Sequence, residues 1–310
     1  ILTSSENHSL NPLGVITIEF STFGDALKRY SCSNLILSDM RYCYLFLSSQ
    51  ELKTQYTKIF SMALIHSFEK SGNTLFKYRG QIPVILFITA IPVVYLTDFS
   101  IFRENDLYFW LLLGFSAVLS LAGQVIRAIA IGTSNKNTSG RNRDQQVADA
   151  LNTKGIYSTV RHPLYLGNYF MWIGIVVFTG NIWFILSVSL AFWLYYERIM
   201  FAEERFLERK FGEEYLNWSL KVPAFWPSRK NHIPSPIPFS MKTILRREYS
   251  GITATIIGFL FVKIIRDTFE YGKFIFSWDY IVILGVALSI TLILRTLKHK
   301  TKILFEEDRS

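Results

Sequence analysis

The sequence predicts an all-α protein: a polytopic membrane helix bundle with about six transmembrane helices. Half of the 310 residues are hydrophobic and the mean hydropathy is +0.24, but what matters is that the apolar residues are clustered into long runs. These runs approach the roughly 20 apolar residues that a spanning helix needs. The segments that connect the runs are alternately rich and poor in basic residues, which is the asymmetry expected of membrane proteins.

Six apolar runs with few charges follow one another along the chain. We predict one span from each of them: 82–97, 107–132, 164–180, 182–196, 251–265 and 278–294. Several runs are short and need their aromatic or basic flanks to cross a bilayer. Only residues 179–181 separate the third run from the fourth, so these two predict a helical hairpin. The fifth and sixth runs predict a second hairpin.

The net charge of +9 is distributed in a way that predicts topology. Basic residues are concentrated before the first run, between the second and third, after the fourth and after the sixth. The positive-inside rule therefore places both termini and the segment before the third run in the cytoplasm. Topology and anionic headgroups account for the charge, so no nucleic-acid partner is predicted. Cys32 and Cys43 lie on the same reducing side, which argues against a disulfide or a Cys-based metal site.

Four segments follow from these patterns. Residues 1–61 contain no full-length apolar run, and we hypothesise a dispensable extension, the alternative being a poorly ordered cytoplasmic tail. Residues 62–230 form the predicted core of four spans and one interfacial helix. Residues 231–250, with three prolines between 231 and 238, are expected to be a linker. The hairpin and basic tail of 251–310 carry no recognisable constellation, so a role in packing or oligomer contacts is predicted.

The most informative motif opens the third run, at residues 161–167, and reads Arg-His-Pro-Leu-Tyr-Leu-Gly. Pro163 suits the first turn of a helix, and a residue before proline is driven towards extended geometry. Arg161 and His162 are therefore expected at the mouth of the third span, near the positive end of its dipole. A Glu-Glu pair at 203–204 returns to the same boundary after the fourth run. A cation, an imidazole and two carboxylates are thus expected to meet there.

This ordered set resembles the isoprenylcysteine carboxyl methyltransferase and phospholipid methyltransferase family of integral membrane proteins. The family pattern is Gly-x-Tyr, Arg-His-Pro-x-Tyr-x-Gly, a helical hairpin, Glu-Glu-x-x-Leu, Phe-Gly-x-x-Tyr and a final Pro. Between residues 155 and 227 it is met by Gly155, Tyr157, Arg161, His162, Pro163, Tyr165, Gly167, Glu203, Glu204, Leu207, Phe211, Gly212, Tyr215 and Pro227. Looser agreement extends back to Arg127.

The resemblance implies S-adenosylmethionine as cofactor, held in a pocket at the cytoplasmic face, and a lipid or lipid-anchored acceptor. Two carboxylates suit the cofactor's ammonium, Arg161 and His162 suit its carboxylate or an anionic acceptor, and tyrosine faces suit the sulfonium or adenine. The expected cofactor-binding residues are Gly155, Tyr157, His162, Pro163, Tyr165, Gly167, Glu203 and Glu204. The expected catalytic residues are Arg161, His162 and Arg127.

Each residue also has a plainer interpretation. Arg161 can serve only as a topological anchor, His162 can bond backbone at a turn, and the glutamates can be a solvated face. Gly167 can mediate ordinary helix packing. Arg127 lies within the second run, where it either snorkels to the interface or faces the protein interior as a functional charge. No His, Cys, Asp or Glu cluster has metal-ligand spacing, so no metal is predicted.

The chemistry of the acceptor follows from the reaction class that the resemblance implies. A carboxylate or phosphate needs only alignment and exclusion of water, and the planar arginine fork pairs with either oxyanion. An amine would also need a proton acceptor, for which His162 or a glutamate is nearest. O-methylation is therefore favoured, for example of a prenylcysteine carboxylate or a lipid A phosphate. Stretches 138–142 and 151–153 are similar to bacterial members, so a bacterial cytoplasmic membrane is expected rather than the endoplasmic reticulum.

Two rival functions remain open at this point. Sterol-type membrane reductases that use NADPH share an Arg-His-Pro-x-Tyr-x-Gly element, but they commonly have Glu after the glycine, where this chain has Asn168. A transporter or membrane scaffold is the nonenzymatic alternative. The runs show no charge relay and no matched pair of Gly/Pro-broken segments, which weakens it. The oligomeric state is not predicted.

Overall fold

The structure is a computed structural model that describes residues 63–134, 146, 148–230 and 232–306. Every regular element in these ranges is a helix, which confirms the predicted all-α class. The predicted extension 1–61 and the stretch 138–142 lie outside the described residues. The helices are α1 Ala63–Tyr78, α2 Ile82–Leu96, α3 Ser100–Glu104, α4 Asp106–Gly132, α5 Pro163–Phe178, α6 Ile182–Phe211, α7 Glu213–Ser219, α8 Met241–Tyr271 and α9 Trp278–Lys300, with a 3₁₀ turn at Gly155–Ser158.

The number of spans differs from the predicted six. Three helices, α4, α6 and α9, are long and apolar enough to cross a membrane, and the pair α1–α2, bent by 79°, adds a fourth if it counts as one broken span. Their outer faces expose large apolar side chains such as Phe115 and Val118, as lipid-facing helices do. The prediction of six spans is not confirmed, because α5 has only 16 residues and α8 carries charges in its apolar run at Lys263, Arg266 and Asp267.

Helices α4 and α5 approach each other closely through small residues. A Cβ placed on Gly123 would lie 2.5 Å from the backbone oxygen of Gly167, and one on Gly174 would lie 2.2 Å from the hydroxyl of Ser120. The Ser120 hydroxyl also donates to the carbonyl of Met171 over 2.8 Å. Small residues allow this contact because backbones can meet only where no side chain intervenes. The contact fixes the start of α5 against the end of α4.

The predicted linker 231–250 is in fact half helical. Its second half forms the start of α8, because the Ser240 side chain accepts a hydrogen bond from the Thr243 amide and caps the helix. Its first half packs against the 3₁₀ turn, since the carbonyl of Ile233 accepts from the amide of Gly155 over 2.8 Å. The Ser240 amide donates to the carbonyl of Gly132 over 3.0 Å, which holds α8 beside the end of α4.

The helices run between two ends of the bundle. At one end, the Asn181 amide donates to the Thr97 hydroxyl over 3.0 Å, and the Arg266 guanidinium lies 4.5 Å from the centre of the Phe99 ring. The α2–α3 link, the α5–α6 turn and the α8–α9 link therefore meet at this end. The opposite end holds the 3₁₀ turn, the start of α5 and the ends of α4 and α6.

Candidate active site

Backbone hydrogen bonds hold the Arg-His-Pro motif in place at the start of α5. The amides of Arg161 and His162 donate to the carbonyls of Pro223 and Ala224, over 2.9 and 3.2 Å. Pro163 occupies the first turn, and His162 precedes it with φ −119° and ψ 61°, outside the helical region. The segment after α7 is thus a backbone partner for the motif, and it fixes both side chains at the mouth of the helix.

The second half of α6 brings the two predicted glutamates to this motif. The imidazole Nε2 of His162 lies 2.9 Å from Glu204 Oε1, at hydrogen-bond distance, and its Nδ1 lies 3.6 Å from Glu203 Oε2. The Nε of Arg161 lies 3.2 Å from Glu204 Oε1, an ion-pair contact, and its terminal nitrogen donates to the carbonyl of Ser219. The predicted meeting of cation, imidazole and carboxylates is therefore present in the structure.

The imidazole of His162 is buried between these two carboxylates. Burial alone would lower its pKa, but Glu203 and Glu204 outweigh burial and raise the pKa of His162 to about 9. The ring is therefore a cation at neutral pH, with a proton on each nitrogen. The plainer interpretation, in which His162 only bonds backbone at a turn, does not describe the side chain.

Glu203 retains an unused acceptor. Its Oε2 is buried and, among the described residues, has no hydrogen-bond partner, since the nearby Nδ1 of His162 is 3.6 Å away. A buried carboxylate oxygen without a donor is costly. The side chain of Glu203 lines a cavity of about 550 Å³ that can hold a ligand. A cationic donor such as an ammonium would satisfy it.

Aromatic side chains form one wall of this cavity. The rings of His162 and Tyr165 stack with centres 5.6 Å apart, and Tyr165 contacts Tyr196 at 5.0 Å. The carbonyl of Tyr157 accepts from the indole of Trp218. Burial and the charge of Glu203 raise the pKa of the Tyr157 phenol to about 12, so it remains neutral. The tyrosines of this wall thus present neutral aromatic surface beside a charged cluster.

Seven of the ten predicted site residues line the cavity. They are Arg127, Tyr157, Arg161, His162, Pro163, Tyr165 and Glu203. The other three have supporting positions in this structure. Glu204 lies behind the motif, against His162 and Arg161. Gly167 faces Arg127 and Gly123 in the α4–α5 contact, as its plainer interpretation expects.

Gly155 is the third predicted residue that does not line the cavity. Its φ of +63° is in the left-handed region that favours glycine. A Cβ there would lie 3.1 Å from Ser235, and the Gly155 amide donates to the carbonyl of Ile233. The need for glycine at this position is therefore conformational, and the turn it permits presents Tyr157 to the cavity.

Arg127 faces the protein interior rather than snorkelling. Its guanidinium donates through all three nitrogens: to both oxygens of Glu248, over 2.6 and 2.7 Å, and to Asn168 Oδ1 over 2.6 Å. The Asn168 amide in turn lies 3.4 Å from the Tyr196 hydroxyl. A fork that is engaged on all its nitrogens is poorly placed to clamp a substrate anion. In this structure Arg127 joins α4, α5 and α8 at the cavity wall.

The sequence did not indicate the part played by α8. Arg247, Glu248 and Ser250 of the predicted linker line the cavity, as does Gly251, the first residue of the hairpin that was expected to serve packing or oligomer contacts. One signal was available: an intramembrane arginine needs a partner of opposite charge, and Glu248 stands just before an apolar run. Lys77 and Arg79, at the bend between α1 and α2, also line the cavity. Among the described residues no group of three or more His, Cys, Asp or Glu could hold a metal ion.

Comparison with known proteins places this site within a family segment. Residues 112–214 match the model of the phospholipid methyltransferase family. The segment contains Arg127, the Arg-His-Pro motif and the Glu-Glu pair, and it ends before α8. The resemblance inferred from the motif is confirmed over this segment.

Relatives of known description point the same way. The chain is 32% identical over 111 residues to a protein-S-isoprenylcysteine O-methyltransferase of Xenopus laevis, covering 36% of this chain and 38% of the relative. It is 33% identical over 111 residues to the Schizosaccharomyces pombe protein of that name, covering 34% of this chain and 45% of the relative. A probable one from Oryza sativa subsp. indica is 28% identical over 144 residues, 46% of this chain and 75% of the relative. The chain thus matches less than half the length of the first two relatives. No solved structure matches.

Proposed function

We propose, from the phospholipid methyltransferase segment at residues 112–214, that this chain is a membrane O-methyltransferase that uses S-adenosylmethionine and acts on a lipid-anchored oxyanion. One observation carries the proposal. Glu203, which has one buried carboxylate oxygen without a hydrogen-bond partner among the described residues, lines the same cavity as the cationic pair Arg161–His162. An acceptor for an ammonium thus lies beside donors for an anion.

The residues present fit the proposed cofactor. Its ammonium would be held by Glu203, its carboxylate by Arg161 or His162, and its flat or sulfonium groups by the faces of Tyr157 and Tyr165. The cavity of about 550 Å³ is in the range usual for small-molecule sites. When bound, S-adenosylmethionine supplies an electrophilic methyl group on a sulfonium.

The protein's own contribution is binding, orientation and exclusion of water. Glu204 holds His162 and Arg161 from behind, so both cations are preorganised before a substrate arrives. The buried wall around Tyr165 keeps water away from the reacting atoms. No residue has to remove a proton from a carboxylate or phosphate acceptor.

The protonation of His162 favours an oxyanion acceptor over an amine. An amine would need a proton acceptor, and His162 was the nearest imidazole for that role. Because Glu203 and Glu204 raise its pKa to about 9, it already carries the proton at neutral pH and cannot accept another. Only a carboxylate would remain as base, and both nearby carboxylates face cations.

The names of the relatives favour a prenylcysteine carboxylate as acceptor. A lipid A phosphate would offer Arg161 a similar oxyanion, but no relative named here carries that description. The three relatives are eukaryotic, so the expectation of a bacterial membrane gains no support from them. We place the protein in a membrane with its site on the cytoplasmic side, on the strength of the basic residues around the motif.

The test is ligand stabilisation of the detergent-purified full chain. S-adenosylhomocysteine should raise the melting temperature of the wild type, whereas NADPH should not. Glu203→Gln removes the charge facing the ammonium and should weaken the affinity by roughly tenfold to a hundredfold. Glu213→Gln, at an exposed position of α7, is the matched control and should bind normally. Equal affinity in both variants would remove Glu203 from the site, and stabilisation by NADPH alone would replace the proposed cofactor.

A further inference from the structure

The segment after α7, residues 220–230, presents large apolar side chains on the outer surface of the protein. Leu220 is 85% exposed and Trp226 is 62% exposed, whereas Val222 and Phe225 between them are buried. Residues 220–230 are all described, and none of them lines the cavity. The buried pair therefore fixes the segment to the protein, while the exposed pair forms a surface suited to an apolar environment outside it.

This surface continues the lipid-facing side of α6. Leu190 and Leu194, one turn apart on this candidate span, are both exposed. Trp193 beside them is also exposed, and its ring centre lies 5.3 Å from that of Phe225, which contacts the Trp226 ring at 5.6 Å. A chain of aromatic rings thus leads from α6 onto the segment after α7. Because tryptophan concentrates where hydrocarbon meets the headgroups, we expect the segment to lie at that level of the membrane.

The charge of the segment indicates which headgroups it meets. Residues 220–242 contain four Lys or Arg and no Asp or Glu. Arg229 and Lys230 follow Trp226 closely, and both are exposed. Basic side chains beside inserted apolar ones are attracted to anionic lipids, whereas zwitterionic lipids offer them no net charge. The partner that fits this surface is therefore an anionic leaflet.

The backbone of the same segment supports the Arg-His-Pro motif. The carbonyls of Pro223 and Ala224 accept hydrogen bonds from the amides of Arg161 and His162. A third hydrogen bond joins the amide of Ser228 to the carbonyl at position 159 over 2.9 Å. A contact that fixes the outer face of the segment therefore also steadies the start of α5 on its inner face.

We propose that residues 220–230 bind anionic lipid headgroups through Arg229 and Lys230, with Leu220 and Trp226 inserted into the leaflet, and that this contact holds the Arg-His-Pro motif in place. The surface is separate from the cavity, so the bound lipid is a partner of the protein and not the methyl acceptor. The inference goes beyond the proposed function, and neither measurement that tests it uses a cofactor or an acceptor.

The first test places the full chain in nanodiscs of phosphatidylcholine and phosphatidylglycerol in which only one of the two lipids carries brominated chains. Bromine quenches tryptophan on contact, and the difference between the wild type and Trp226→Phe isolates the signal of Trp226. At equal fractions, brominated phosphatidylglycerol should quench Trp226 more strongly than brominated phosphatidylcholine. Arg229→Gln and Lys230→Gln should each lower this preference by about fivefold. Lys273→Gln, at an exposed position in the α8–α9 link, is the matched control and should keep the wild-type preference.

The second test measures hydrogen exchange in the peptide that contains the Arg161 and His162 amides. In the wild type these amides should exchange more slowly when phosphatidylglycerol is present than in phosphatidylcholine alone. The double variant Arg229→Gln with Lys230→Gln should abolish the difference.

Other results overturn the inference. Equal quenching by the two brominated lipids, quenching by neither, or equal effects of Lys230→Gln and Lys273→Gln would exclude recognition of anionic headgroups by this segment. An exchange rate that does not respond to phosphatidylglycerol, or that still responds in the double variant, would exclude the link to the motif. A chain that passes both tests but does not bind S-adenosylhomocysteine would contradict only the proposed function.

Discussion

His162 is the residue on which the charges of the site converge. It receives its cationic state from Glu203 and Glu204 on α6, while its backbone is held by the segment after α7. A protonated imidazole between two carboxylates ties the start of α5 to the end of α6. This link is short-range and buried, so its strength depends on the charge of the ring more than on ionic strength.

The charge on His162 makes the stability of the protein depend on pH. Because the folded-state pKa is raised from 6.5 to about 9, the stabilisation is complete below pH 6.5, declines as the pH rises, and is lost above about 9. The shift in the pKa of His162 corresponds to a contribution on the order of 3 kcal/mol to the free energy of unfolding. Melting temperatures from pH 6 to 10 should therefore fall more steeply for the wild type than for His162→Gln. The control His232→Gln, at an exposed histidine, should show the same dependence of melting temperature on pH as the wild type. If the melting temperature of His162→Gln also falls in parallel with that of the wild type, the His162 ring is neutral.

The sequence predicted this cluster because its signals are local. The sequence alone shows a proline after His162, an arginine before it and a Glu-Glu pair one hairpin later, so these signals can be recognised without knowing the fold. The partner of Arg127 was not predictable in the same way, since Glu248 is 121 positions away. Sequence periodicity shows which residues share a helix face, but it does not show which faces meet. The exclusion of Gly155 and Gly167 from the cavity is likewise a consequence of packing that a motif does not show.

At the scale of elements, α8 adds a wall to the site. Its contact with the family segment includes polar links beside the apolar packing of Val262 on Ile175 and Phe178: Arg127, Asn168 and Glu248 form one network, and the side chain of Gln124 donates to the Thr255 hydroxyl over 3.2 Å. An apolar contact would leave the rotation of α8 loosely defined. A bidentate ion pair defines it, which is how Arg247 and Gly251 come to face the cavity.

Removal of one partner of the Arg127–Glu248 pair should therefore destabilise the protein strongly. Side-chain exposures of 18% and 4% leave little water to compensate an orphaned charge, so Glu248→Gln should lower the free energy of unfolding by about 3–5 kcal/mol. The double change Arg127→Leu with Glu248→Leu should recover most of that loss in a double-mutant cycle. Glu208→Gln, which breaks the exposed Arg205–Glu208 pair, is the control and should cost less than about 1 kcal/mol. Equal losses for the two Gln variants would show that the buried pair is solvated.

At the scale of the whole molecule, the site lies at one end of the bundle and the helix links meet at the other. Residues 97–105, 179–181 and 266–277 gather at the far end around Phe99 and Asn181. The Arg-His-Pro motif and the segment after α7 lie at the site end. The sequence anticipated this division through the alternation of basic residues, whereas its number of six spans is not confirmed. The difference has a physical cause: two of the six apolar runs fall on α5, which has only 16 residues, and on α8, which uses part of its length for buried charges.

This arrangement predicts the sidedness of the protein in a membrane. Single cysteines would be placed at the exposed positions Glu104, Lys273 and Lys230, in a chain whose native Cys32 and Cys43 are replaced by serine. A membrane-impermeant maleimide should label 104 and 273 from one side and 230 only from the other. The side of 230 should be cytoplasmic, because basic residues concentrate there. Labelling of 104 and 230 from the same side would mean that the helices between them, α4, α5 and α6, do not together take the chain across the membrane. The site would then have to open to the opposite face of the membrane.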